Sequence, residues 1–181
     1  IGGAADAGRD VATTAVNFVS FFTIQSNIAA AVVLLIAAIW GLTKGHTARI
    51  EPVGLATALA CVTSYMIVTG VVYNLLLRSV QLPQGTTVPW SNEVLHLIAP
   101  LFLLADLLFA PARRALPWRT VLIVLIYPVL WIIYTLVRGP LTTNPVSGEP
   151  WWYPYPFLNP HLAPGGWPEV IVYIVGIAVA M

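Results

Sequence analysis

From Val16 to Trp40 the chain carries no charged side chain, and the same is true from Val53 to Leu77 and from Thr120 to Val137. A helix needs roughly 20 apolar residues to cross the ~30 Å hydrocarbon layer of a bilayer. Three runs of that length in a chain of 181 residues define its solvent before any other feature is considered. Composition agrees: 59% of residues are hydrophobic and 8% are charged, against about 25% charged in an ordinary soluble domain. Too few polar groups remain to cover a water-facing exterior. The net charge is +1 without a basic tract, and Cys61 is the only cysteine. Disorder, charge-driven nucleic-acid binding and a disulfide framework are therefore excluded.

The expected fold is all-α: a polytopic helical transmembrane bundle forming one domain over residues 1–181. Four full spans are expected at about 16–40, 53–77, 92–110 and 120–137, with a partial fifth at 168–181. The last is still apolar at Met181 and, at ~1.5 Å per residue, too short to cross alone. The opening Ile1-Gly2-Gly3-Ala4-Ala5 reads as a loop and points to an upstream segment. Lys44 and Arg49 lie in one connection, Arg113, Arg114 and Arg119 in another, and strict alternation puts both on the same side. The positive-inside rule makes that side cytoplasmic. Residues 1–15, the Arg78–Ser91 loop and the Gly139–Trp167 loop then face outward.

The last of these loops is unusual. Residues 139–168 hold eight of the fifteen prolines, together with Trp151, Trp152, Tyr153, Tyr155, Phe157 and Trp167. Proline forbids a regular helix, and Trp and Tyr favour the membrane–water boundary. The plain reading is an interfacial anchor. The alternative is a rigid cover over an outer-leaflet site, with Trp151, Trp152, Tyr155 and Phe157 as its candidate residues.

Polar side chains inside a bilayer are costly and therefore informative. Asn17, Ser20, Thr23, Gln25, Ser26 and Asn27 crowd the outer half of the first span. A single Thr in a membrane helix ordinarily bonds the carbonyl one turn back. Six polar residues in eleven positions instead require neighbouring helices or a wet cavity. Thr23 and Asn27 share one helix face, as do Asn92 and His96 in the third span. Thr23 lies ~10 Å and His96 ~6 Å below the same outer surface, so they can occupy one layer. Burial disfavours the imidazolium, leaving a ring able to accept a proton. A hydroxyl beside such a ring is the minimum set for an activated nucleophile. The bland alternative for His96 is a helix-bridging hydrogen bond.

Asp106, ten residues beyond His96, lies ~15 Å further along the axis and cannot orient that ring. It reads as paired with a Ser, Tyr or Arg of a neighbour, or else as a proton-relay carboxylate. His46 and His161 read as solvated loop residues, and Cys61 as a small buried hydrophobe. Ala56, Ala60 and Ser64 form a helix-packing stripe. Pro100 and Pro128 should kink spans three and four and free carbonyls there. No soluble catalytic motif, phosphate loop or Cys-x-x-Cys occurs, and His96 lacks Asp, Glu or Cys neighbours suited to a metal. No cofactor and no metal are expected.

Three runs are familiar together. Phe21-Phe22-Thr23-Ile24-Gln25-Ser26-Asn27 resembles the aromatic/apolar–Thr–x–x–(Asn/Asp) helix opening of the androgen-induced integral membrane protein family. Asn92-Glu93-Val94-Leu95-His96, followed by Pro100, is similar to its Asn-x-x-x-His element. Tyr155-Pro156-Phe157-Leu158, with His161 and Pro164-Gly165, resembles its Tyr-Pro-Phe-Leu loop. The order matches, and the resemblance is nearest the bacterial branch. It implies six helices, one of them before Ile1, and an intramembrane threonine hydrolase of lipid esters such as fatty acid esters of hydroxy fatty acids. Carried over by motif, the essential residues are Thr23 and His96. Glu93 departs from the histidine that animal relatives have near the Asn.

The expected function is thus a membrane-embedded lipid-ester hydrolase with Thr23 as nucleophile and His96 as general base. Asn27 and Asn92 are candidates for the oxyanion contacts. Its partners are a lipid or fatty-acyl ester and the bilayer, with no nucleic acid. A proton-coupled transporter or channel using His96 and Asp106 is the rival, with pathway residues drawn from Ser64, Thr69, Tyr73 or Asn74. A non-catalytic lipid-binding scaffold is the third reading.

Overall fold

The computed structural model describes residues 8, 10–45, 47–48, 50–80, 88–111 and 113–181. Arg9, His46 and Arg49 lie outside the described residues. Asp10 opens the first helix by accepting from the Ala12 and Thr13 amides, at 3.0 and 3.3 Å, an N-cap of ordinary chemistry. That helix, α1, is Val11–Ser20. It is followed by α2 (Phe22–Gly45), α3 (Val53–Leu77), α4 (Pro89–Phe109) and α5 (Thr120–Leu141), then by α6 (Trp167–Ala180). No strand occurs among the described residues. By length and composition α2 to α5 can each cross a membrane. The chain is a multi-pass helical membrane protein.

The spans read from sequence agree with these elements except for the first, expected as one helix over 16–40. It is two helices, broken at Phe21, whose backbone is extended (φ −65°, ψ 130°). The physical reason for the break lies in side chains far along the chain, described with the site below.

Half of the central stretch of α3 is buried, against 22% or less in the other three long helices. It is the axis on which the others pack. Leu35, Ile36, Leu108, Leu122 and Val172 each leave more than half their surface outside. In water each would forfeit about 1.5–3 kcal/mol, whereas acyl chains accept them at no such cost. Trp90 and Trp118, 72% and 91% exposed near helix ends, suit the headgroup region.

Pro100 and Pro128, in the interiors of α4 and α5, each leave a carbonyl without its backbone partner, and both carbonyls are answered by side chains of α3. Pro128 frees the Val124 carbonyl, which accepts from the Tyr65 hydroxyl at 2.9 Å. Pro100 frees the His96 carbonyl, which accepts from Asn74 Nδ2 at 3.3 Å. In hydrocarbon an orphan of this kind costs several kcal/mol, so the partners are a requirement.

One end of the bundle is tied by charge. Glu51, 6% exposed, accepts from Arg113 Nη1 and the Arg114 amide, both at 3.1 Å, while its carbonyl accepts from Arg114 Nε at 2.8 Å. Arg113 also pairs with Asp106. These contacts join the α2–α3 and α4–α5 connections at a common end, as strict alternation requires. The α5–α6 segment belongs to the opposite end and folds into the bundle. Tyr153, Tyr155 and Leu158 are buried, and Gly139 is needed for that packing: a Cβ there would stand 2.3 Å from the Tyr153 ring.

Candidate active site

The break at Phe21 leaves the last carbonyls of α1 and the first amides of α2 without helical partners. Val19 O accepts from Gln25 Nε2 at 2.8 Å, and Ser20 O accepts from Trp131 Nε1 at 2.9 Å. The Thr23 amide donates to the Tyr155 hydroxyl at 3.2 Å. Residues from α2, α5 and the α5–α6 segment thus hold open a discontinuity that local sequence alone would not sustain.

That discontinuity changes what Thr23 can do. Thr14, Ser20, Thr43 and Thr142 each donate to the carbonyl four residues back, at 2.7–3.1 Å. Thr23 does not. It is the second residue of α2, and the carbonyl four back belongs to α1 and is engaged by Gln25. Its hydroxyl lies 3.2 Å from His96 Nε2 and 3.2 Å from the Tyr155 hydroxyl.

His96 comes from a widened π-helical turn, Val94–Ile98, just before Pro100. Such turns re-aim side chains and frequently occur at functional sites. The ring stacks on Tyr73 with centroids 3.9 Å apart and planes at 22°. Tyr73 is held in turn by the Asn92 side-chain amide, and Arg78 lies over its outer region 5.7 Å from the centroid. His96 Nδ1 is 2.9 Å from the Asn92 carbonyl.

A carbonyl can only accept, so Nδ1 carries the proton and Nε2 of the neutral ring is an acceptor. Thr23 must then donate to Nε2, and the Tyr155 hydroxyl, which accepts from the Thr23 amide, donates to the Thr23 oxygen. The hydrogen bonds run in one direction: Tyr155 to Thr23 to His96 to the Asn92 carbonyl. Tyr155 lies in the connecting segment and is buried. Burial pushes its phenol up from the ordinary tyrosine value, so it keeps its proton and stays a donor at physiological pH.

Beside Thr23 is a cavity of about 240 Å³. Thr23, Thr69, Tyr73 and Tyr155 contribute the hydroxyl-bearing side chains of its wall, and the remaining lining residues are apolar, from α2, α3, α5, the α5–α6 segment, α6 and the terminal Met181. His96 is not part of the wall. Such a space suits an apolar chain, and Thr23 stands on its boundary.

The other sequence-derived candidates divide as follows. Asn27 Nδ2 donates to the Thr23 carbonyl at 2.9 Å and lies 3.5 Å from the Leu95 carbonyl. Asn92 gives its side-chain amide to Tyr73 and its carbonyl to His96. Neither lines the cavity; both act as positioning groups for Thr23 and His96. Of the four proposed cover residues, Tyr155 and Phe157 reach the cavity. Trp152 instead packs on Phe21 and lies 5.3 Å from the Arg138 guanidinium, and Trp151 stacks on exposed His161 at 3.9 Å. Asp106 is engaged by Arg113. Among the described residues no three His, Cys, Asp or Glu side chains gather as a metal site.

Sequence reasoning missed the direct Tyr155–Thr23 contact, the Tyr73 stack and the part played by Gln25. Only the Tyr-Pro-Phe-Leu run offered a signal for the first. No protein-family model, curated protein or solved structure matches this chain.

Proposed function

We propose that this chain is a membrane-embedded hydrolase of lipid esters, of the kind found in the androgen-induced integral membrane protein family it resembles. The observation that carries the reading is the 3.2 Å approach of Thr23 Oγ to His96 Nε2 at the edge of an apolar cavity. In the first half-reaction His96 Nε2 takes the Thr23 proton as Oγ bonds to the ester carbonyl carbon. The carbon–oxygen bond to the alcohol then breaks, and the alcohol leaves with the proton from Nε2. In the second, water gives its proton to Nε2 and its oxygen to the acyl carbon, and Thr23 recovers the proton as the carboxylic acid departs. A positioned general base of this kind contributes about 10²–10⁴-fold.

The acyl chain occupies the cavity, and the basic end around Arg113 and Arg114 faces the cytoplasm. The reacting groups then lie toward the outer leaflet of a bacterial cytoplasmic membrane. The proton-relay alternative requires a free Asp106, and its ion pair with Arg113 speaks against that role.

An alkyl fluorophosphonate should label the purified protein in detergent, with the adduct on Thr23. Thr23→Ala should lose both label and ester hydrolysis by at least about 10²-fold. Equal labelling and hydrolysis in that variant would remove the mechanism.

A further inference from the structure

The oxyanion of either half-reaction needs a hydrogen-bond donor aimed at the carbonyl oxygen, and the two asparagine amides near Thr23 are engaged elsewhere and off the cavity wall. We propose that Tyr155 is a third catalytic residue, whose hydroxyl donates to the carbonyl oxygen of the ester as it becomes negative. The proposal rests on the hydrolase reading and deepens it.

Four observations carry it. The Tyr155 hydroxyl lies 3.2 Å from the oxygen that would attack, and Tyr155 and Thr23 line the same cavity. A carbonyl carbon joined to Thr23 Oγ therefore holds its oxygen within reach of the phenol, and only the hydroxyl hydrogen has to turn about its C–O bond. The phenol oxygen is anchored by the Thr23 amide at 3.2 Å. An N–H donated to a hydroxyl polarises it and strengthens its own donation. Finally, the ring cannot drift. Phe157 stacks parallel to it at 5.3 Å, Phe21 meets it edge-on at 5.5 Å, and Trp131 lies 6.0 Å away. Pro154 and Pro156 flank it, and its carbonyl accepts the Leu158 amide at 3.1 Å.

A donor fixed in this way needs no reorganisation when charge develops, which is the condition under which such hydrogen bonds accelerate acyl transfer. At rest the same hydroxyl occupies a lone pair of Thr23 and turns the threonine proton toward His96. One residue would then serve the nucleophile before attack and the oxyanion after it.

The test uses the full chain in lipid nanodiscs with a medium-chain p-nitrophenyl ester. Tyr155→Phe keeps the stacked ring and removes only the hydroxyl. It should lower kcat by about 10²–10³-fold with KM within about threefold of the parent, since the missing bond forms with the transition state. Tyr153→Phe, a buried tyrosine of the same segment with no contact to Thr23, should leave kcat at the parent value. Both variants should remain folded at the assay temperature, as read by thermal unfolding, with Tyr155→Phe melting somewhat below the parent because the Thr23 amide loses its acceptor.

Parent-like kcat in Tyr155→Phe would overturn the proposal while leaving the hydrolase intact. An equal loss in both variants would reduce Tyr155 to segment packing and overturn it too. A parent whose hydrolysis persists in Thr23→Ala would bring down the hydrolase reading itself, and Tyr155 with it.

Discussion

A threonine or serine in a membrane helix has an easy resting place on its own backbone, and Ser20, Ser26 and Thr43 take it. Thr23 is denied that place because α2 begins one residue earlier and Gln25 occupies the carbonyl behind it. With that local hydrogen bond withheld, the Thr23 hydroxyl takes His96 and Tyr155 as its partners. The same accounting governs Tyr65, whose hydroxyl answers the carbonyl freed by Pro128. Tyr65→Phe should preserve the aromatic packing against Phe22 and Tyr127 and, by orphaning the Val124 carbonyl, cost about 1–3 kcal/mol. The check is the unfolding midpoint in detergent. A midpoint equal to the parent's would mean that the freed carbonyl had found another donor.

At the scale of elements, the site is held by close contact between α3 and α4. Gly70 makes this possible: a Cβ there would stand 3.1 Å from the His96 carbonyl and from Pro100. Asn74, one turn on, donates to that same carbonyl and to Gly70 O. Gly70→Ala must therefore push the His96 turn away by a few tenths of an ångström. The expected result is a hydrolysis rate lower by up to about tenfold together with a loss of stability of about 1–3 kcal/mol. Fluorophosphonate labelling rates and unfolding curves read the two effects separately. Unchanged labelling would mean that α4 does not transmit the displacement to the imidazole.

For the whole molecule, the candidate site and the charged tie between connections lie at opposite ends. Thr23, His96 and Tyr155 sit near one end of the bundle, while Glu51, Arg113, Arg114 and Asp106 tie the other. Glu51→Gln leaves two arginines with a weaker acceptor in a largely buried position. It should destabilise the fold by about 3 kcal/mol yet leave Thr23 labelling intact below the melting temperature. A thermal shift followed by labelling at low temperature measures both. Loss of labelling in folded protein would show that the two ends are coupled and would revive a relay running through Asp106.

Length, apolar runs and scarcity of charge were enough to read a helical membrane bundle from the chain alone, because a bilayer admits few other ways to satisfy a backbone. Four helices appear where those runs lie. The polar cluster around Thr23 was equally visible, since such side chains cannot face lipid. That His96 belongs to the same layer followed from counting residues down two helices. The break at Phe21 did not follow, for Gln25, Trp131 and Tyr155 sustain it and two of these are more than a hundred residues away. Nor could the sequence reveal that both asparagine amides are occupied, or that a loop tyrosine comes within 3.2 Å of the threonine oxygen. Helix formation in lipid is decided locally, by hydrophobicity and the need to pair every amide. Which hydroxyl is left without a local partner is decided only when distant side chains compete for the same carbonyls.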